Sequence, residues 1–289
     1  MTAREIQPTL GWTNHLDSLP PTVLILGGFL TAPPMYRRLV DRLRARGAAG
    51  VVVANVWPPD WLIAGVRGVG PLTTRSGRAL HDAWRLSREA SYGAPLLVVG
   101  HSAGGIIARL LTAAEPFPGR RFGAAPLIGA IVSLGTPHRL AAGQGIGRRM
   151  NEVAAAAADE VVPGAFFAPE IGYVSVASRA IRGDPIGHGR ERVAGLLYRS
   201  VIGRAAVPGT EGDGLVPVAA TRLAGARHVL LDHSTHGPAA AAPWYGSDDA
   251  LDVWWPVALA AWRGALAHRA AMTTAADPAP PALPGTARV

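Results

Sequence analysis

Short apolar runs bounded by proline or glycine punctuate this chain, and longer amphipathic stretches separate them. Residues 21–28 (PTVLILGG) and 50–56 (GVVVANV) are continuous apolar runs of strand length, the pattern of strands buried on both faces. Residues 95–99, 127–134, 172–177 and 227–231 are read as further strands. Between the first two runs, Pro33-Pro34 opens a helix whose apolar face is Tyr36, Leu39, Val40 and Leu43, and Gly47 ends it. Thr73 or Thr74 is expected to cap another helix, with Leu80, Trp84 and Leu86 as core positions. Strands alternating with helices predict an α/β fold, with a mostly parallel central sheet of about six strands and helices on both faces.

Two segments depart from this rhythm. Residues 139–170 are rich in Ala and Gly, with one helical stretch around 152–162. They suit either a lid over the carboxyl ends of the strands, where open α/β sheets place their sites, or an ordinary helical crossover with a long loop. Residues 271–289 are rich in Ala and Pro and are expected to be a disordered tail, leaving 1–270 as the folded domain.

Composition narrows the function. A chain of 289 residues with 49% hydrophobic and 17% charged residues can bury a sizeable core. The net charge of +8 comes entirely from arginine, scattered with no run longer than a pair, so no nucleic-acid partner is expected. The absence of cysteine excludes disulfides, thiolate metal sites and a cysteine nucleophile. The first eleven residues lack the apolar core of a signal peptide, and no run reaches the ~18 apolar residues of a membrane span, so a cytoplasmic protein without a transmembrane segment is expected. Nothing here sets the oligomeric state.

The most specific chemistry lies at Gly100-His101-Ser102-Ala103-Gly104. A bare G-x-S-x-G arises by chance about 0.16 times in a chain of this composition, so its context must decide. Here an apolar strand runs into it and a helical pattern (Ile106, Ile107, Leu110, Leu111) leaves it, the layout of a nucleophile elbow with Ser102 on the turn. His101 beside it reads as structural. A serine needs a base and a group to orient that base, and on such a sheet the acid and then the histidine follow it along the chain. Asp213, between two glycines, is the preferred acid, and Asp184 in Gly-Asp-Pro is the alternative. The loop after the last strand carries His233 and His236; His236, deeper in the loop and before Gly-Pro, is the preferred base. With His228 these histidines match no zinc spacing, and neither metal nor cofactor is called for. The backbone N–H groups of Phe29 (Leu30 second) and Ala103 are candidate oxyanion donors. Phe29, Leu30, Trp57, Trp61, Phe166, Phe167 and Trp244 are candidate walls of an apolar acyl pocket.

These residues resemble the α/β-hydrolase superfamily, and within it the bacterial lipases and esterases, over roughly residues 22–255. The resemblance rests on Gly-Gly-Phe-Leu at 27–30, Gly-His-Ser-Ala-Gly-Gly at 100–105, Leu-Gly-Thr-Pro-His at 134–138, Asp213 in Gly-Asp-Gly-Leu-Val-Pro, and His236. In small bacterial lipases the interval from acid to histidine matches that from Asp213 to His236, with a Gly-Ala-Arg turn between, as at 225–227 here. The resemblance implies Ser102 as nucleophile, His236 as base and acid, Asp213 as its orienter, and Phe29 and Ala103 as oxyanion donors. The implied activity is hydrolysis of a small-molecule or lipid ester through an acyl-serine. A thioesterase, acyltransferase or amidase would use the same residues, and a non-catalytic ligand-binding protein could share the fold. Two departures stand out: Gly27-Gly28 replaces the usual His-Gly, and residues 139–170 match no pattern.

Overall fold

The computed structural model describes residues 10–16, 18–114, 122–141, 146–238 and 243–276. Six strands form one sheet: β1 (Thr22–Leu26), β2 (Gly50–Val53), β3 (Leu96–His101), β4 (Ile128–Leu134), β5 (Gly172–Ser178) and, last, β8 (Arg227–Leu231). Their spatial order is β2-β1-β3-β4-β5-β8, and every pair is parallel. All carboxyl ends therefore lie along one edge, and each strand is followed there by a loop.

The period-2 rule sorts the side chains of each strand between two layers. Leu24 and Leu26 of β1 and Leu96 and Val98 of β3 face one core, shared with α2 (Pro58–Arg67), α3 (Gly70–Ala90), α4 (Ala103–Thr112) and α5 (Ile146–Val161). Val23, Ile25, Leu97 and Val99 face the other, beneath α1 (Arg37–Ala45) and α7 (Asp248–Ala276). Trp254, Trp262 and Leu266 of α7 are fully buried there. The Trp262 indole N–H also donates to the Pro95 carbonyl at 2.7 Å, tying α7 to the start of β3.

Several elements differ from the sequence expectation. Thr73 is inside α3, which begins at Gly70; its hydroxyl donates back to the carbonyls of Gly70 and Val69 instead of capping a helix. Within residues 139–170, the helix spans Ile146–Val161, and from Ala154 its buried alanines join the core against α4. Buried Arg109 of α4 donates to the carbonyls of Ala158 and Val162 and pairs with Asp159, closing the end of α5. From Ala154 onward this half is packed against α4, with Arg109 Nη2 donating to the carbonyls at its C-terminal end. Residues 271–276, expected in the tail, continue α7; residues 277–289 lie outside the described residues. Between β5 and β8 the chain adds an antiparallel pair, β6 (Ile181–Gly183) and β7 (Thr210–Gly212), spanned by α6 (Gly189–Ile202). Three-residue strands and a weakly patterned helix carry too little periodicity to be read in advance. Among the described residues no helix is long and apolar enough to cross a membrane.

Trp262→Ala removes a fully buried indole and its bond to Pro95. It is expected to cost about 3–5 kcal/mol of folding free energy, read from urea unfolding followed by circular dichroism.

Candidate active site

Ser102 leaves β3 at φ 52° and ψ −125°, a backbone conformation that a non-glycine residue adopts only under constraint. Packing supplies that constraint. The Ser102 N–H donates to the Leu134 carbonyl at 2.8 Å. A Cβ on Gly104 would meet the Leu26 carbonyl, one on Gly100 would meet Gly105, and one on Gly105 would meet the Thr136 side chain. Three glycines thus let α4 start against β1 and β4, with the serine side chain presented on the sharp turn. Ser102 is 8% exposed, within reach of a small reactant.

His236, on the loop after β8, places Nε2 at 3.0 Å from Ser102 Oγ and Nδ1 at 2.8 Å from Asp213 Oδ2. Its own N–H donates to the Asp213 carbonyl at 3.0 Å. With Nδ1–H given to a carboxylate, Nε2 carries the lone pair toward the serine, the tautomer a general base requires. Asp213 directly follows β7 and is fully buried. Its Oδ1 accepts the N–H groups of Leu215 (3.0 Å) and Val216 (2.7 Å), and Oδ2 also accepts the Tyr245 hydroxyl at 2.8 Å. Burial alone would raise this carboxyl. The His236 charge and hydrogen bond, with the Val216 and Leu215 N–H groups, outweigh it and hold Asp213 below the ordinary carboxylate range.

The alternatives sit elsewhere. Asp184 accepts the Ile186 N–H within its own turn. His233 is exposed and lines a separate cleft of about 330 Å³ with Leu230, Asp232 and Asp249. Of the predicted oxyanion loop, Gly28 lies against the serine: a Cβ there would come within 2.9 Å of Ser102 Cβ. The next N–H is that of Phe29, and no acceptor among the described residues takes it. Ala103 N–H is the first of α4 and has no partner within its helix.

The predicted pocket walls divide. Phe29 packs edge-on against Trp61 at 5.6 Å, and Leu30 and Trp57 are partly exposed beyond the same sheet edge. Trp61 is buried and supports the Phe29 ring. Phe166 and Phe167 pack on each other near the opposite edge: the Phe167 carbonyl accepts from Ile171, just ahead of β5, and Ala165 N–H bonds Ala224, ahead of β8. There the chain is entering β5, whereas Ser102 lies where the chain leaves β3. Trp244 is buried behind the site, edge-on to the rings of Tyr36 and His101. Tyr36, expected only as part of an apolar helix face, and Tyr198 and Tyr245, not singled out in the sequence, place their hydroxyls around the site. Tyr198 of α6 accepts the Gly214 N–H and donates to the Ile181 carbonyl, bracing the acid loop. These hydroxyls reach their partners across large sequence separations, so no local motif announces them.

No family model matches this chain, and no curated protein matches it. Solved structures do. A Bacillus licheniformis lipase in mature form aligns over 86% of this chain and 94% of its own, with TM-score 0.54 and 16% identity. A soluble variant of the Saccharomyces cerevisiae monoglyceride lipase aligns over 86% of this chain and 87% of its own, with TM-score 0.48 and 12% identity. The likeness is one of architecture: this chain has the α/β-hydrolase fold.

Two buried histidines give the protein an acid-side weakness. Burial, reinforced by the nearby His236 charge, lowers His101 to about 3 against the opposing pull of the His236 carbonyl and Asp213. Burial, with Arg109 and His228, lowers His138 to about 3. Unfolded histidine titrates near 6.5, so from about pH 6.5 down towards 3 the unfolded state binds more protons than the folded one. Stability present above pH 6.5 is therefore lost as pH falls, by up to ~1.4 kcal/mol per pH unit for each histidine. Asp213 adds a loss of the same sign only below about pH 4. Urea midpoints are expected to fall between pH 6 and 4, and His138→Gln is expected to reduce that slope by about half.

Proposed function

We propose that the protein is a serine esterase or lipase that hydrolyses carboxylic esters through an acyl-serine intermediate. The observation that carries this reading is the unbroken chain from Ser102 Oγ to His236 Nε2 at 3.0 Å and from His236 Nδ1 to Asp213 Oδ2 at 2.8 Å, ending on a buried carboxylate. The strained serine backbone and the parallel sheet supporting it are what that chemistry needs.

In the mechanism, Ser102 Oγ attacks the ester carbonyl as His236 Nε2 takes its proton. The tetrahedral oxyanion is held by the N–H groups of Phe29 and Ala103, each worth about 3 kcal/mol in the transition state. The C–O bond to the alcohol breaks, and His236 delivers the proton to the departing oxygen. Water then enters, gives a proton to His236 and attacks the acyl-serine. Collapse of the second intermediate releases the acid, and the proton returns to Ser102. Asp213 stays ionised and stabilises the transient imidazolium. Phe29, Leu30 and Trp57 form the near wall of an apolar acyl site, and Leu62, Ile63 and Val66 on the exposed face of α2 extend it outward.

A chain-length series of aryl esters, with matching thioesters, tests the reaction class and the acyl preference. Ser102→Ala is expected to lower kcat by about 10⁴-fold or more, and retention of wild-type turnover would refute the serine mechanism. Asp213→Asn is expected to cost roughly 10⁴-fold by favouring the wrong imidazole tautomer. Asp184→Asn and His233→Ala should leave kcat within about twofold of wild type, since a side chain outside the reacting geometry has no transition-state contact to lose.

A further inference from the structure

His101 reads in the sequence as a bystander, pointed away from the nucleophile. Its ring is buried and bonded at both nitrogens. Nε2 lies 2.7 Å from the backbone carbonyl of His236, and Nδ1 lies 2.8 Å from the Tyr36 hydroxyl. That hydroxyl in turn lies 2.9 Å from the Gly28 nitrogen. One imidazole and one phenol therefore join the oxyanion loop after β1 to the histidine loop after β8, through a residue covalently next to Ser102.

We infer that His101, held by Tyr36, is a positioning residue that sets the oxyanion loop and the His236 backbone relative to Ser102. This rests on the serine-hydrolase reading above.

The available protons allow one arrangement. A carbonyl only accepts, so Nε2 must carry the hydrogen toward His236 O. A neutral ring then has a lone pair on Nδ1, so Tyr36 donates its single hydroxyl proton there. The Tyr36 oxygen keeps a lone pair for the Gly28 N–H. The Thr31 hydroxyl donates to the Gly28 carbonyl at 2.7 Å, which leaves the 3.1 Å approach of Tyr36 Oη to Thr31 Oγ1 without a proton of its own. Burial favours these neutral forms, raising Tyr36 to about 12 while lowering His101.

The consequence is a clamp on each side of the serine. His236 has its N–H on the Asp213 carbonyl and its C=O on His101, so its main chain is fixed before its side chain is considered. Gly28 has its N–H on Tyr36 and its C=O on Thr31, which leaves the following N–H, that of Phe29, pointing to no protein acceptor among the described residues. The oxyanion loop has no histidine of its own at 27 or 28. A Cβ at Gly27 would strike Thr31 Oγ1 at 2.7 Å and the Tyr36 ring at 3.1 Å. The imidazole that organises this loop comes instead from the elbow. A ring serves where a flexible amide is weaker, because one rigid plane holds donor and acceptor at a fixed separation.

The test compares His101→Leu, which removes both bonds, with His101→Gln, which keeps a donor for the His236 carbonyl, and Tyr36→Phe, which frees Gly28 N–H and Nδ1. Phosphonate labelling of Ser102 counts competent sites. His101→Leu should lower kcat about 10²-fold at nearly unchanged KM, because sub-ångström displacement of base and oxyanion donors acts on the transition state. His101→Gln should recover at least about tenfold of that loss, which a purely space-filling role would not produce. Imidazole ¹⁵N spectra of the wild-type protein should show His101 as the neutral Nε2–H tautomer, unchanged from pH 5 to 8, and this reading holds even if a variant does not fold. A His101→Leu enzyme within twofold of wild-type kcat, equal kcat for the Gln and Leu variants, or a His101 protonated on Nδ1 would overturn the inference. Wild-type turnover by Ser102→Ala would instead overturn the serine reading beneath it.

Discussion

A buried carboxylate has to be saturated with donors, and in this protein that requirement draws the loops of the candidate site together. Asp213 is fully buried, and each of its oxygens receives two hydrogen bonds. The donors come from its own turn, from the histidine loop after β8 and from Tyr245 ahead of α7. An ion in that position without partners would cost several kcal/mol, so the fold reaches its low-energy state only when those segments converge. Gly135, at the end of β4, makes the convergence possible: a Cβ there would sit 2.8 Å from Asp213 Oδ2 and from the Tyr245 ring. The requirement that stabilises the carboxylate also orients His236.

The glycines of the elbow act by the same logic of close approach. Gly100, Gly104 and Gly105 bring α4 against β1 and β4, and the resulting turn leaves Ser102 at positive φ. Strain at one residue is held by contacts made along the whole of β3, which is buried from Leu96 to His101. The Leu-Gly-Thr-Pro-His segment supports the elbow from behind. Thr136 packs against Gly105, and His138 bonds Ser133 while facing Arg109. Through Arg109 this support extends to the end of α5, so that helix and the Ser102 turn share one core.

The polar network around the site is layered. Ser102, His236 and Asp213 form the inner chain. Tyr245, Tyr198, Tyr36 and His101 form an outer set whose hydroxyls and ring nitrogens bond main chain, the Asp213 carboxylate or, for Tyr36 and His101, each other. Neutral, buried groups of this kind add geometry without adding charge, which keeps the field at Ser102 governed by Asp213 and His236.

The inner strands β1, β3, β4 and β5 were legible because each is a short, largely apolar run buried on both faces, a local pattern; β8, at the sheet edge and mostly exposed, was legible from Val229-Leu230-Leu231 ahead of a polar loop. Ser102 was legible because strand, turn and helix are contiguous, and Asp213 and His236 because the chain order of this fold restricts where each can lie. The antiparallel pair β6–β7 and α6 were not legible: their stability comes from Tyr198 and neighbouring contacts, not from periodicity. Trp244, Phe166 and Phe167 share one sequence signal with Phe29 but pack elsewhere, against Tyr36 and His101 or on each other, since an aromatic residue carries the same local signal whether it lines a site or fills a core. The sequence by itself determined the six strands of the main sheet and the chain order of Ser102, Asp213 and His236, because covalent neighbours and periodic patterns act over a few residues. Only the tertiary structure decided that Tyr36, His101 and Tyr245 surround those groups, because hydrogen bonds spanning up to 135 residues depend on where the finished sheet brings its loops.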